Sequence, residues 1–306
     1  MTRETKLEVA RKSRRKSCRT LGVVLLTLLP RLAFADLPLT VEHIITERGK
    51  VKLDLSIGYA NSDRQGVSAA EPISVQTGPT SFIAIPTQFG ESIGNSDTTV
   101  TSLGLRYGLT AKAEIYARLS GLMSNQRSSG LGQSVEKNES RFVDAWAGIN
   151  YQFKDDGYTP ALVGFAELAL SEKHRSSTSR FKSVMFGATT YKAIDPVVFS
   201  LTAAYRYNGS LQEMEQRYEP GNLLLINPCV AFAVNDRVTL STDVQWTRLS
   251  ASRLSGNSQG IARTATDLVL GVGYAINRDN TVNTTFKVNA SGRGGSELRL
   301  NWLYTF

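Results

Sequence analysis

The chain has 306 residues, with 35 Lys and Arg against 27 Asp and Glu and a formal net charge of +8. Residues 1–35 hold nine of the basic residues and two of the acidic ones, so the remainder carries 26 against 25. That balance leaves no basic stripe for nucleic acid, and no apolar run reaches the roughly twenty residues of a helical membrane span.

Taken in chain order, residues 1–35 read as a secretory leader. Arg3, Lys6, Arg11, Lys12, Arg14, Arg15, Lys16 and Arg19 precede an apolar stretch from Leu21 to Leu29, and Ala33-Phe34-Ala35 supplies a cleavage pattern. Export is expected, with cleavage near Ala35. Cys18 would leave with the leader, and Cys229 alone cannot form an internal disulfide. Residues 36–50 are expected to form a short periplasmic N-terminal segment. Val41, Ile44 and Ile45 recur at helical spacing after Thr40, with Gly49 as a stop. The segment reads equally well as a plug within a barrel or as a frayed tail.

From residue 51 onward the pattern has period two over segments of about ten residues, the signature of a membrane barrel. Val51, Leu53, Leu55, Ile57 and Tyr59 alternate with Lys52, Asp54, Ser56 and Gly58. Leu298, Leu300, Trp302, Tyr304 and Phe306 alternate with more polar residues to the end of the sequence. Twelve such segments are predicted, near 51–60, 98–107, 112–122, 141–153, 159–170, 180–192, 197–207, 221–234, 237–249, 263–275, 280–290 and 295–306. Tight links at 108–111, 154–158, 193–196, 235–236 and 276–279 are rich in turn residues. They alternate with longer links at 61–97, 123–140, 171–179, 208–220 and 250–262. The expected fold is all-β: a transmembrane antiparallel barrel spanning 51–306, with short periplasmic turns and longer extracellular loops.

Three sets of residues follow from that topology. Tyr107, Tyr151, Phe153, Tyr191, Phe232, Tyr274, Tyr304 and Phe306 fall at periplasmic strand ends, where amphipathic rings meet lipid headgroups. Lys52, Asp54, Arg106, Glu114, Arg118, Asp144, Glu167, Arg206, Asp243, Asp267, Lys287, Glu297 and Arg299 fall on the face turned from lipid and would line the lumen. Val41, Ile44 and Ile45, with Phe82, Ile83 and Ile85 in the long link 61–97, are candidates for a constriction or plug. Two segments read poorly: Phe181–Lys192 fits either face outward, and Pro228 removes a ladder donor from the eighth segment.

Thr46-Glu47-Arg48-Gly49-Lys50, Leu105-Arg106-Tyr107-Gly108-Leu109-Thr110, Glu114-Ile115, and the run from Ala147 to Gly157 followed by Pro160-Ala161-Leu162 carry a family resemblance. They resemble the outer-membrane proteins of the meta-pathway of phenol degradation, and the related barrel of the functional-amyloid export channel. The resemblance implies a channel for small or apolar solutes, or for a secreted polypeptide. The amyloid exporters carry a long periplasmic coiled coil before the barrel, whereas only residues 36–50 precede the first strand here. A closed structural barrel whose loops meet an external partner is the alternative. Outer-membrane lipid and the barrel-assembly machinery, acting through the strand that ends at Phe306, are the expected partners, with no nucleic acid. His43 and His174 lie far apart, so neither a catalytic serine–histidine pair nor a metal site is expected. No enzymatic activity, cofactor or metal is anticipated.

Overall fold

Strands with one apolar face satisfy their backbone groups in hydrocarbon only if the sheet closes on itself. The computed structural model describes residues 45–306, except 65–66, 69–72, 77–81, 86–89, 92, 131–132, 175–176, 214–215 and 292–294. The leader, Val41, His43 and Ile44 therefore lie outside the described residues.

Twelve strands form the wall: β1 (Val51–Arg64), β2 (Ile93–Thr110), β3 (Ala113–Gly130), β4 (Gln133–Lys154), β5 (Ala161–His174), β6 (Ser183–Ile194), β7 (Val197–Asn208), β8 (Leu223–Ala233), β9 (Val238–Leu249), β10 (Arg263–Asn277), β11 (Asn280–Asn289) and β12 (Ser296–Thr305). Each pairs antiparallel with its sequence neighbours, and β12 returns to β1 from Thr305↔Lys52 to Ser296↔Asn61. The Phe306 amide donates to the Val51 carbonyl at 2.8 Å, sealing the last rung. The wall is therefore a closed barrel.

Every predicted segment coincides with a strand, but β1 to β5 each run at least four residues past their apolar patterns. Residues 123–140, expected as a loop, continue β3 and β4 as a paired ribbon up to Gly130↔Gln133. Its cross-strand contacts are polar, such as Asn125 to Glu136 at 2.9 Å and Arg127 to Asp97 at 2.6 Å. Period two fades there because neither face meets hydrocarbon. Link 61–97 likewise contains a small hairpin, Ile73–Gln76 paired with Phe82–Ile85.

Along β1, Lys52, Ser56, Gly58 and Ala60 are buried while Leu55, Ile57 and Tyr59 are exposed, and the same alternation runs round the barrel. One irregularity locally alters it: between Ser120 and Gly121 the β3–β4 register slips, so that Val143 and Asp144 are both buried. Near Pro228 the β8–β9 ladder skips from Ile226↔Trp246 to Cys229↔Asp243 with its register and alternation unchanged.

A lipid-face test follows. Leu270 is exposed at the middle of β10, beside Thr242 and Phe286. Leu270→Arg is expected to destabilise the folded barrel by about 2–4 kcal/mol, measured by denaturant titration in vesicles.

Candidate functional site

Among the described residues, charged side chains gather under cover in the barrel interior. Lys52, Glu114, Arg118, Asp144, Glu167, Glu297 and Arg299 are buried. Asp54, Arg106, Arg206, Asp243, Asp267 and Lys287 are half-buried on the same inward face.

Most of these charges are paired into a ladder along one side. Arg106 meets Glu114 at 3.2 Å and Asp54 at 3.5 Å, and its guanidinium lies 5.8 Å from the centroid of Tyr116. Tyr116 donates its hydroxyl to Glu167 at 2.7 Å, passing over Gly148. A Cβ at Gly148 would lie 2.6 Å from the Tyr116 ring, so only glycine lets that reach occur. Asn301 donates to Asp54 at 2.5 Å, Arg299 donates to Ser56 at 3.2 Å, and Lys287 pairs with Glu297 at 2.5 Å. Higher in the barrel Arg206 pairs with Glu172 and stacks 4.8 Å from the Trp146 centroid. Trp146 in turn donates to Asp144 at 3.1 Å.

The wall from β8 to β10 differs. Asn227 has a buried amide oxygen without a hydrogen-bond partner. Among the described residues, Asp243 contacts the Cys229 thiol and has no cation partner. Asp267 accepts from Asn289 at 2.7 Å.

Two segments enter this interior. The hairpin Ile73–Gln76/Phe82–Ile85 spans from wall to wall. Val75 packs with Ala60, Val100, Leu122 and Val143, on β1 to β4. Phe82 packs with Trp146, Ala169, Met185, Ala204, Leu223 and Leu225, on β4 to β8. Arg206 fixes this side by donating to the Phe82 carbonyl at 2.9 Å. Ile83 and Ile85 occupy the second strand of the hairpin, opposite Val75 and Ile73.

At the periplasmic end, residues 45–48 turn back into the barrel as a strap. The Thr46 amide donates to Glu114 at 2.7 Å, on β3, and Thr46 is buried. Ile45 packs against the cluster of Ala161, Val163, Tyr191 and Val198, on β5 to β7. Gly108 makes the turn feasible, since a Cβ there would lie 2.1 Å from the Glu47 carbonyl oxygen. Strap and wall are joined by the Gly49 amide to the Gly108 carbonyl at 2.8 Å.

Tyr191 is therefore a correction to the expected interface aromatics. It faces inward, 9 % exposed, because its neighbour Lys192 faces outward and donates to Asp156 at 2.9 Å. The Ala193 amide also donates to Asp156, at 2.8 Å. These donors, aided by the Lys192 charge, outweigh the cost of burial and hold the Asp156 carboxyl below its ordinary range. Tyr107, Tyr151, Phe153, Phe232, Tyr274, Tyr304 and Phe306 face outward at the periplasmic strand ends. The inward role of Tyr191 had no separate sequence signal. Glu172 was also missed, because a slip on β5 between Ala169 and Ser171 breaks simple parity; Trp146 shares the inward parity of Asp144 and was passed over because it carries no charge.

Fold and interior together define an outer-membrane-type β-barrel. Among solved structures, the chain is similar to an outer membrane channel from Pseudomonas putida F1, with a TM-score of 0.61 at 12% identity over 86% of this chain and 97% of that one. It is also similar to the translocator domain of the autotransporter NalP from Neisseria meningitidis, with a TM-score of 0.51 at 12% identity over 99% and 98%. No family model matches the chain. No curated protein matches it either.

Gly108→Val should displace the strap while leaving every wall charge in place. The expected result is faster tryptic cleavage after Arg48 than in the unaltered protein, with heat-modifiable gel mobility unchanged.

Proposed function

We propose that the protein is an outer-membrane channel, passing small solutes through a mixed-charge interior narrowed at both ends. The observation that carries this reading is Asp243. Among the described residues no cation pairs with this inward-facing carboxylate, which is then costly to hold dry, so this side of the lumen needs water. The ladder from β11 through β5 fills one side with paired charges, which leaves the passage along β8 to β10. A barrel of twelve strands is wider than those whose interiors side chains fill.

In this reading the hairpin about Val75 and Phe82 is the outer constriction, and the strap at Ile45 and Thr46 is the periplasmic one. Charges of both signs line the route, giving weak ion selectivity. The similarity to an outer membrane channel from Pseudomonas putida F1 accords with this reading.

Single-channel recording in planar bilayers tests it. The mature protein is expected to conduct weakly, and deletion of residues 36–50 is expected to raise conductance several-fold. Silence from both forms, with folding confirmed by gel mobility, would leave a closed structural barrel instead.

A further inference from the structure

The outer rim holds a pocket unrelated to the lumen. The loops after β7 and β9 fold into a small sheet, in which Leu211–Glu213, Gln216–Glu219, Arg253–Leu254 and Asn257–Ser258 pair in that order. Between this sheet and the strand ends lies a cavity of about 500 Å³, walled by Tyr207, Ser210, Arg217, Glu219, Arg253 and Ser258 among others.

Its frame is rigidly tied. The Asn208 side-chain amide N–H donates to the Gly221 carbonyl at 2.6 Å, and its backbone N–H donates to the Asn222 side-chain oxygen at 2.9 Å. The Asn222 N–H donates to Ser250 at 2.7 Å. Arg217 is paired with Glu219 at 3.0 Å. The Arg253 guanidinium, opposite Glu219 in register, is exposed and has no partner among the described residues. The pocket thus presents a spare guanidinium beside hydroxyl groups.

Its height in the membrane indicates the ligand. Tyr205, Tyr207 and Trp246 occupy outward positions at the outer ends of β7 and β9, the level of a headgroup girdle. Arg248 is exposed at the next outward position beyond Trp246, and Arg180 and Lys182 are exposed at the start of neighbouring β6. On the opposite arc, the exposed polar contacts mix signs, as in Arg127 with Asp97. Cationic residues are thus concentrated on one arc, just outside the hydrocarbon.

We propose that this pocket binds the phosphorylated sugar headgroup of an outer-leaflet glycolipid. Arg253 and Arg217 take the phosphate, as guanidinium forks do with tetrahedral oxyanions. Ser210, Ser258 and the Tyr207 ring edge take the sugar. The inference rests on the outward orientation of these loops, and is independent of whether the lumen conducts.

Native mass spectrometry of the folded, detergent-solubilised barrel tests it, with bis-phosphorylated lipid A as the probe. One lipid A is expected to be retained, with at least ten-fold weaker binding in the Arg217→Ala/Arg253→Ala variant. Folding of the variant is checked by gel mobility, and the substitutions lie in exposed loops away from the wall. Equal retention by variant and unaltered protein would overturn the proposal, as would equal retention of dephosphorylated lipid A. Displacement of lipid A by millimolar inorganic phosphate alone would also overturn it, assigning the site to a free anion.

Discussion

A chain that crosses hydrocarbon with strands must leave no backbone donor or acceptor unpaired at its edges. Everything else in this molecule depends on how that is achieved. The β12–β1 rungs from Lys52↔Thr305 to Asn61↔Ser296 join the two ends of the described sheet, so outward and inward faces become separate solvents. Once closed, period two in the sequence is converted into two chemistries, with Leu55, Ile57 and Tyr59 outside and Lys52, Ser56 and Gly58 inside. A one-residue slip anywhere would exchange them.

The closed interior then has to accommodate charge. Isolated ions there would be expensive, and the wall from β11 to β5 resolves this by pairing, with Arg106 serving Asp54 and Glu114 together. Pairing also organises the strap. Glu114, already held by Arg106 and by Asn150 at 2.6 Å, uses its second oxygen for the Thr46 amide. The same carboxylate therefore ties wall stiffness to the position of the N-terminal segment. On the other side, Asp243 and the unpartnered Asn227 oxygen lack such a network, and the asymmetry between the two walls is the basis for placing water there.

How much of this was legible depended on whether one face met lipid. Strand positions from β6 to β12 followed the apolar alternation closely, since hydrocarbon imposes it residue by residue. The β3–β4 ribbon beyond residue 122 was read as a loop because water bathes both of its faces and no alternation survives. Phe181–Lys192 was ambiguous for a different reason. Tyr191 and Lys192 are both amphipathic, and only the distant turn at Asp156, which takes Lys192, decides which one faces outward. The inward-facing charges were visible as a set, but their partners were not, because pairing such as Tyr116 with Glu167 crosses an intervening strand at Gly148. The apolar centre of link 61–97 marked an unusual loop. Which walls Val75 and Phe82 meet is a matter of three-dimensional register that no local pattern carries.

The central claim is that chain segments occupy the interior and set the width of the passage. The most direct measurement is disulfide cross-linking of the strap to the opposite wall in a Cys229→Ser background, pairing Ile45→Cys with Val163→Cys and, separately, with Val198→Cys. Oxidation of the folded barrel should give an intramolecular bridge in at least one pair, seen as a mobility shift reversed by reductant. Folded barrels that form no bridge in either pair, while Ile45→Cys reacts freely with a bulky maleimide from outside, would contradict the claim.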